Sequence, residues 1–136
     1  MVLHGAEGVM EYFEDGDTIF REGDEGRHLY VIIRGAVQIL KDGPDFISNI
    51  ATLGEREILG EMSVIDSLPR SATAVAVGTT HLMAFDRESF RSAIQSHPDF
   101  GFEVIASLAL KLRQTNEELQ DVRAAYKRHQ EEQGSA

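Results

Sequence analysis

Residues 59–75 read Leu-Gly-Glu-Met-Ser-Val-Ile-Asp-Ser-Leu-Pro-Arg-Ser-Ala-Thr-Ala-Val, and this stretch decides how the rest of the sequence is interpreted. Gly60 can adopt backbone angles that are closed to other residues, and it lets a ligand approach the chain closely. Residues 61–65 can then form a short helix, and the first free N–H groups of a helix point at an anion. The stretch therefore predicts a phosphate-binding turn.

Arg70 follows Glu61 after a Ser-Leu-Pro turn and precedes an alternating run, residues 71–77, that is typical of a strand. A guanidinium at this point can hold two anionic oxygens at once. Glu61 would be repelled by a phosphate, but its carboxylate is a good acceptor for a sugar hydroxyl. Together these residues indicate a sugar phosphate as the ligand. The alternative is a loop in which Glu61 and Arg70 pair with each other.

Two longer motifs make this sequence similar to a known family. Residues 60–65, Gly-Glu-Met-Ser-Val-Ile, and residues 69–72, Pro-Arg-Ser-Ala, resemble the phosphate-binding cassette of cyclic nucleotide-binding domains. These are the sensor modules of the catabolite activator protein family, of cyclic-nucleotide-dependent kinases and of gated channels. Upstream, Gly-Asp-Glu-Gly at 23–26 and Leu-Tyr-Val-Ile with Gly-Ala-Val within 29–37 resemble the barrel signature of the same family. Their order favours the family over an isolated Glu61–Arg70 loop.

The resemblance implies a role for each residue of the cassette. Glu61 would accept a hydrogen bond from the ribose 2′-OH, and Arg70 would hold the cyclic phosphate together with N–H groups of the short helix. Ser71 would add a hydroxyl. The implied ligand is cyclic AMP, with cyclic GMP as the alternative. The predicted ligand-binding residues of the cassette are Gly60, Glu61, Met62, Ser63, Arg70, Ser71 and Ala72.

Composition describes an ordinary globular chain and excludes several classes of function. The 136 residues suit one domain, with 42% hydrophobic and 26% charged residues. No cysteine is present, so disulfides, thiolate metal sites and cysteine nucleophiles are excluded. The five histidines are scattered, so neither a metal site nor an enzymatic activity is expected. Neither a signal peptide nor a membrane-spanning run is visible, which predicts a cytoplasmic location and no membrane partner.

The net charge of −10 argues against nucleic-acid binding, because a duplex normally demands a basic surface. The acidic excess lies in the first 110 residues, since basic and acidic residues balance beyond that point. An anionic ligand would therefore meet a repulsive long-range field, and its binding would depend on local groups such as Arg70.

Residues 10–85 have the residue pattern of short strands separated by turns. Strand-forming residues alternate with turn clusters at 15–17, 23–26 and 41–44. The predicted fold class is mainly β with C-terminal α, an eight-stranded jelly-roll β-barrel followed by a short helix and a long dimerisation helix. The resemblance implies the same fold. The predicted strands lie near 10–14, 17–20, 28–33, 36–41, 46–53, 57–59, 71–77 and 80–85.

Two helices are predicted after the strands. Asp86 can cap a short helix that ends near residues 97–98, and Asp99 can cap a longer helix from about residue 100 to residue 133. The predicted organisation is residues 1–98 as the cyclic nucleotide-binding β-barrel with its short flanking helix. Residues 99–136 form the long helix, as part of the same domain.

The long helix carries an apolar seam with the 3,4 spacing of a coiled coil. A stripe this narrow, extending past the reach of a small barrel, predicts a parallel homodimer through residues 99–133. The alternative is a helix folded back on its own barrel. The seam residues are Ile105, Leu108, Leu112, Thr115, Leu119, Val122 and Tyr126.

Thr115 is polar at a seam position, and a polar residue there usually has a specific role. Residues 112–117 resemble the stretch of the catabolite activator family's dimer helix whose Thr-Ser pair meets the purine amino group of cyclic AMP. Thr115 matches the Thr, which contacts the nucleotide in its own subunit. Asn116 stands where the family has the Ser, which reaches over from the other subunit, and Asn can still donate and accept. The alternative is a Thr-Asn pair on a solvated face.

The activator family continues into a DNA-reading helix-turn-helix, whereas this sequence ends shortly after the long helix. The expected function is therefore a cyclic nucleotide sensor that acts on an unknown downstream protein. One alternative is a structural dimerisation module of the same fold that binds no nucleotide. Another is an excised regulatory domain of a larger channel, kinase or transcription factor.

Overall fold

A computed structural model describes residues 8–43 and 47–134 of the chain. The chain divides into two compact units, the first ending at Phe102 and the second beginning at Glu103. The described residues form six strands and three helices: β1 (Val9–Phe13), β2 (Thr18–Phe20), β3 (His28–Asp42), β4 (Ile47–Leu53), β5 (Ile58–Leu59), α1 (Glu61–Asp66), β6 (Thr73–Asp86), α2 (Arg87–Ser96) and α3 (Pro98–Gly134).

The strands form one antiparallel sheet built around β3 and β6. The order along the sheet is β1-β6-β3-β4, with β2 paired to β6 and β5 paired to β3. The two central strands pair over almost their whole length, from His28 opposite Asp86 to Leu40 opposite Thr73. Because β5 pairs with Tyr30 and Val31 of β3, the chain enters α1 directly from the sheet.

The described strand count differs from the eight that the sequence predicts. Each of the two predicted pairs 28–33/36–41 and 71–77/80–85 is one continuous strand, β3 and β6 respectively. Gly35 (φ 90°) and Gly78 (φ 71°) lie where the sequence predicted the breaks. The ladder shifts register on either side of Arg34 but continues beyond it. Glycine therefore bends these strands where its turn-forming character predicted a break.

The core of the sheet is apolar and comes from its central strands. A buried valine, leucine or isoleucine side chain contributes about 1.5–3 kcal/mol relative to leaving it exposed. Leu59 is the last residue of β5 and is buried in this core. Its burial fixes the position of Gly60, the next residue. The buried cluster consists of Tyr30, Ile32, Val37, Leu59, Ala74, Leu82 and Ala84.

The helices after the sheet follow the predicted capping pattern with one difference. The Asp86 side chain accepts a hydrogen bond from the Ser89 N–H at 2.8 Å and caps α2, as predicted. Hydrogen bonds from Ser89 also hold the pKa of Asp86 below its usual value. The long helix begins at Pro98, slightly before the predicted start, so Asp99 lies inside its first turn and the predicted Asp99 cap was wrong. Proline suits that place because its missing N–H would have no helical partner there.

Candidate functional site

The short helix α1 is built by a glycine at its start and a left-handed residue at its end. Gly60 has φ 78°, a conformation that side chains with a Cβ rarely adopt. A Cβ there would also lie 2.6 Å from Arg70 Nη1 and 3.0 Å from the His28 carbonyl oxygen. Ser67 (φ 62°) ends the helix, and its N–H donates to the Ser63 carbonyl at 3.0 Å. The short helix predicted after Gly60 is confirmed.

Arg70 is buried and fastens the start of this helix to the sheet. Its side chain is only 5% exposed. Nη1 donates to the Gly60 carbonyl at 2.8 Å and Nη2 donates to the His28 carbonyl at 2.5 Å. The guanidinium carbon lies 4.1 Å from the centroid of the Phe20 ring, within cation–π distance. Among the residues that the structure describes, the buried Nε has no hydrogen-bond partner, which leaves one N–H of a charged group available to an acceptor.

Burial also determines the electrostatics of the site. Loss of solvent lowers the pKa of Arg70, while the nearby Tyr30, Glu61 and Asp24 act in the opposite direction and raise it. An arginine remains charged despite such a shift. The site therefore holds a poorly solvated positive charge. An anion that reached it would stabilise that charge, because opposite charges attract more strongly where water is excluded.

The loop before β3 meets α1 and Arg70, so the two sequence motifs form one structure. The Gly23 N–H donates to the Arg70 carbonyl, and the Arg70 N–H donates to the Asp24 carbonyl, both at 2.8 Å. A Cβ on Gly26 would overlap the Ser63 Cβ and would lie 2.7 Å from Ser63 Oγ. The Gly-Asp-Glu-Gly motif and the cassette are therefore in direct contact.

The predicted cassette residues differ in exposure. Glu61 and Ser63 are 1% and 6% exposed, and Ala72 is also buried. The Met62 side chain is 53% exposed, although the role predicted for Met62 uses only its N–H. Ser71 is exposed, and its carbonyl accepts a hydrogen bond from Lys41 Nζ at 2.8 Å. The structure thus gathers Gly60, Ser63 and Arg70 at the start of α1, with Glu61 as the first residue of the helix.

Three contributors to this site were not predicted from the sequence. Phe20 was predicted only as a strand residue, and the His28 contribution is a backbone carbonyl that has no sequence signal. Arg87 donates from Nε and Nη2 to the Val64 carbonyl at 3.1 and 2.7 Å, and from Nη2 to Ser67 Oγ at 2.6 Å. Its place directly after the Asp86 cap is the only local feature that distinguishes it from other surface arginines.

The predicted base-contacting residues lie on α3, in the second unit. Thr115 and Asn116 are exposed, and Thr115 Oγ1 donates to the Lys111 carbonyl at 2.9 Å within the helix. Five of the six apolar seam residues of this helix are exposed as well, from 45% at Leu119 to 64% at Val122, whereas Leu108 is half-buried. The ligand contacts of Thr115 and Asn116 stay predictions.

Two further findings concern metals and membranes. Within residues 8–43 and 47–134, no group of three histidine, aspartate or glutamate side chains is placed to hold a metal ion. Among the helices of the same residues, none combines the length and apolar character that crossing a bilayer requires. The predicted cytoplasmic location stays a prediction.

The chain is similar to known proteins over most of its length. Residues 10–97 match the family model described as the cyclic nucleotide-binding domain. A CRP-like cAMP-activated global transcriptional regulator of Mycobacterium tuberculosis is 36% identical over 111 residues, which cover 81% of this chain and 50% of the relative. The chain spans about half the length of such regulators.

Solved structures agree with this similarity. The crystal structure of the Thermus thermophilus catabolite activator protein matches with a TM-score of 0.76 and 35% identity, over 83% of this chain and 54% of that chain. A cAMP-bound structure of PfPKA-R matches with a TM-score of 0.61 and 35% identity, over 67% of this chain and 32% of that chain.

Proposed function

Because the chain belongs to the cyclic nucleotide-binding domain family, we propose that it is a sensor module that binds cyclic AMP, or alternatively cyclic GMP, at the start of α1. The family and the mainly β fold with a long C-terminal helix, both predicted from the sequence, are confirmed by the family match and the structural likeness. The observation that carries the proposed ligand is the buried Arg70, whose Nε has no hydrogen-bond partner within residues 8–43 and 47–134.

The proposed binding mode assigns each part of the ligand to one kind of group. The cyclic phosphate accepts hydrogen bonds from Arg70 and from the N–H groups of Met62 and Ser63, which belong to the first turn of α1 and so lack helical partners. The ribose 2′-OH donates to the buried Glu61 carboxylate. The exposed Ser71 adds its hydroxyl to the phosphate.

The charge balance supports a cyclic phosphate over a neutral ligand. Two N–H groups of Arg70 already donate to backbone carbonyls. A guanidinium has five N–H donors, so Arg70 can hold an anion while it keeps the cassette in place. A phosphate diester brings one negative charge to this buried cation, whereas a neutral ligand adds nothing to the partial compensation by Glu61 and Asp24.

A calorimetric titration of protein freed of co-purified nucleotide tests the ligand directly. Cyclic AMP is expected to bind saturably at one molecule per chain, and more tightly than cyclic GMP. At a free concentration 100 times the Kd, bound ligand stabilises a folded protein by about 2.7 kcal/mol, so the thermal midpoint should rise as well. Absence of both heat and thermal stabilisation with either nucleotide would leave the non-binding dimerisation module as the better account.

Selectivity between the two nucleotides is proposed to depend on Thr115, with Asn116 of a second subunit, by resemblance to the activator family. Thr115→Ala is therefore included in the same titration. The variant should bring the ratio of the affinities for cyclic AMP and cyclic GMP closer to one. An unchanged ratio would contradict the proposed contact between Thr115 and the base.

The exposed seam on α3 supports the proposed parallel homodimer, since an unpartnered stripe of this spacing is typical of a coiled coil. Leu119→Glu is expected to convert the dimer to a monomer, because two carboxylates would face each other across the seam. Analytical ultracentrifugation should give twice the 15.1 kDa chain mass for wild type and a single chain mass for the variant.

Gln120→Glu is the matched control for this experiment. It adds the same charge to the neighbouring exposed residue, off the seam, and should remain dimeric. A monomeric wild-type protein, or a dimeric Leu119→Glu variant, would contradict the proposed interface.

The proposed output is a conformational change rather than a reaction. Binding at α1 would shift the hinge between residues 86 and 100 and so change α3, provided that the ligand binds two states of the hinge unequally. The protein that responds to this change is unknown. Since the chain spans only half of its regulatory relatives, the module can serve as one regulatory part of a larger protein.

A further inference from the structure

Ser71 is an exposed residue of the bend that leads from Arg70 into β6. Arg70 is fixed by its own main chain, because its N–H donates to the Asp24 carbonyl at 2.8 Å. Ser71 is fixed in another way, since its carbonyl accepts a hydrogen bond from Lys41 Nζ at 2.8 Å. A long side chain from the end of β3 therefore holds this part of the cassette.

Lys41 is itself held in place by Glu22. Lys41 Nζ donates to Glu22 Oε1 at 2.6 Å, and the Glu22 N–H donates to Thr73 Oγ1 at 2.9 Å. The hydrogen bond from Lys41 lowers the pKa of Glu22, because it stabilises the charged carboxylate. Glu22 thus contacts both Lys41 and the residue two places after Ser71. Through the chain between Ser71 and Thr73, these four residues close a ring of contacts.

The place of Lys41 on β3 explains why it reaches the cassette. Side chains alternate between the two faces of a strand, and Val37 and Ile39 both belong to the core face. Lys41 is the next residue on that face, and its neighbour Leu40 pairs with Thr73 at the start of β6. A lysine stem can lie along apolar surface while its ammonium reaches a polar group. Lys41 therefore extends the core face of β3 to the proposed phosphate site.

We propose that Lys41 is a positioning residue of the ligand site, which fixes the direction of the Ser71 hydroxyl by holding the Ser71 carbonyl. This inference rests on the proposed function and adds a residue to its binding mode. Ordering an exposed segment during binding costs conformational entropy, and a segment that is already held avoids part of that cost. Lys41 thus acts on the phosphate through Ser71 and not by a contact of its own.

A double-mutant cycle of Lys41→Met and Ser71→Ala, with the Kd for cyclic AMP measured by calorimetry, tests this role. Each substitution alone should weaken binding by about three- to tenfold, the range of a single hydrogen bond. In the Ser71→Ala background, Lys41→Met should cost less than about 1.5-fold more, because no hydroxyl remains to be directed. A lysine that only braced the fold would weaken binding to the same extent in both backgrounds.

Arg34→Met is the matched control for the lost charge. Arg34 is an exposed cation of the same strand, and it pairs with His81, away from the start of β6. This variant should bind cyclic AMP as wild type does, which separates the local role of Lys41 from the general field of the acidic barrel. Thermal unfolding of every variant without ligand checks that the fold is kept.

Glu22→Gln and Lys41→Arg complete the experiment. Glutamine keeps an oxygen that accepts from Lys41 but removes the negative charge, so binding should stay equal to wild type or become weaker. If Lys41 instead contacted the phosphate directly, loss of its counter-charge would tighten binding. Lys41→Arg keeps a charged donor and should recover part of the affinity that Lys41→Met loses.

The outcomes distinguish the two proposals. If the wild-type protein does not bind cyclic AMP, the proposed function fails and the role of Lys41 fails with it. The proposed function stands, and the positioning role is wrong, if wild type binds but Lys41→Met or Ser71→Ala binds equally well. The same holds if the losses from these two substitutions are independent, or if Glu22→Gln binds more tightly than wild type.

Discussion

Replacing Arg70 by alanine is expected to weaken cyclic AMP binding by at least about 10- to 150-fold, which corresponds to the 1.5–3 kcal/mol of a charge-assisted hydrogen bond. The sequence predicts this loss with the fold intact. The structure changes the second half of that prediction. Arg70 is buried, and its two bonds to Gly60 and His28 hold α1 against β3. Alanine should therefore also lower the free energy of unfolding.

Arg70→Lys separates the two effects. Lysine keeps the positive charge, but its single ammonium cannot reproduce the planar fork that reaches two carbonyls and a phosphate. Binding is expected to fall by about tenfold or more, as for a charged hydrogen bond, with a smaller loss of stability than in Arg70→Ala. Titration with cyclic AMP measures the first quantity, and thermal unfolding without ligand measures the second.

Arg91→Ala serves as the control for loss of an exposed arginine and should match wild type in both measurements. Wild-type affinity in Arg70→Ala would refute the role of Arg70 in phosphate recognition. Weak binding at unchanged stability would instead show that the bonds to Gly60 and His28 contribute little to the fold.

The parts of this site that the sequence predicts correctly depend on near neighbours in the chain. Gly60 adopts a positive φ and starts α1, and Asp86 caps α2 through Ser89, which lies three residues away. Such features follow from the conformational range of one residue and the reach of one side chain. The strand break predicted near Gly35 was wrong because pairing between β3 and β6 continues across the bend. That pairing joins segments distant in the sequence.

The parts that the sequence misses depend on contacts between distant segments. Phe20 stacks on Arg70 because β2 pairs with β6, and a phenylalanine in a strand carries no sign of a cation above its ring. The His28 carbonyl that binds Arg70 is a backbone group, which every residue possesses. Arg87 reaches Val64 only because the end of α1 passes near the start of α2. The sequence therefore identified the charged group but not what holds it in place.

Gly26→Ala is expected to disrupt the cassette although Gly26 lies in a different motif. The added Cβ would overlap the Ser63 Cβ and would lie 3.1 Å from Arg70 Cζ. A Cβ cannot rotate away from a clash, so either the loop before β3 or α1 must move. Overpacking of this kind typically costs 1–3 kcal/mol. We expect a comparable loss of stability, together with a loss of cyclic AMP affinity of about tenfold or more.

Gly54→Ala is the matched control, since a Cβ there meets nothing closer than Glu57 Oε2 at 3.9 Å and the backbone conformation permits a side chain. It should bind cyclic AMP as wild type does. If Gly26→Ala and Gly54→Ala lowered the affinity for cyclic AMP equally, the loss in Gly26→Ala would come from placing a side chain on a loop glycine and not from contact with the cassette.

Ser63→Gly provides the decisive partner for Gly26→Ala, because it removes the two atoms closest to the new Cβ, Ser63 Cβ and Oγ, while it keeps the N–H proposed to bind the phosphate. Alone it should cost about 0.5–1 kcal/mol, the usual penalty of a glycine within a helix. Combined with Gly26→Ala it should restore most of the lost affinity, so the two effects will not add. Additive losses would contradict the packing of Gly26 on Ser63. Recovery would establish that the Gly-Asp-Glu-Gly loop sets the position of α1, and thus that both motifs act as one binding structure.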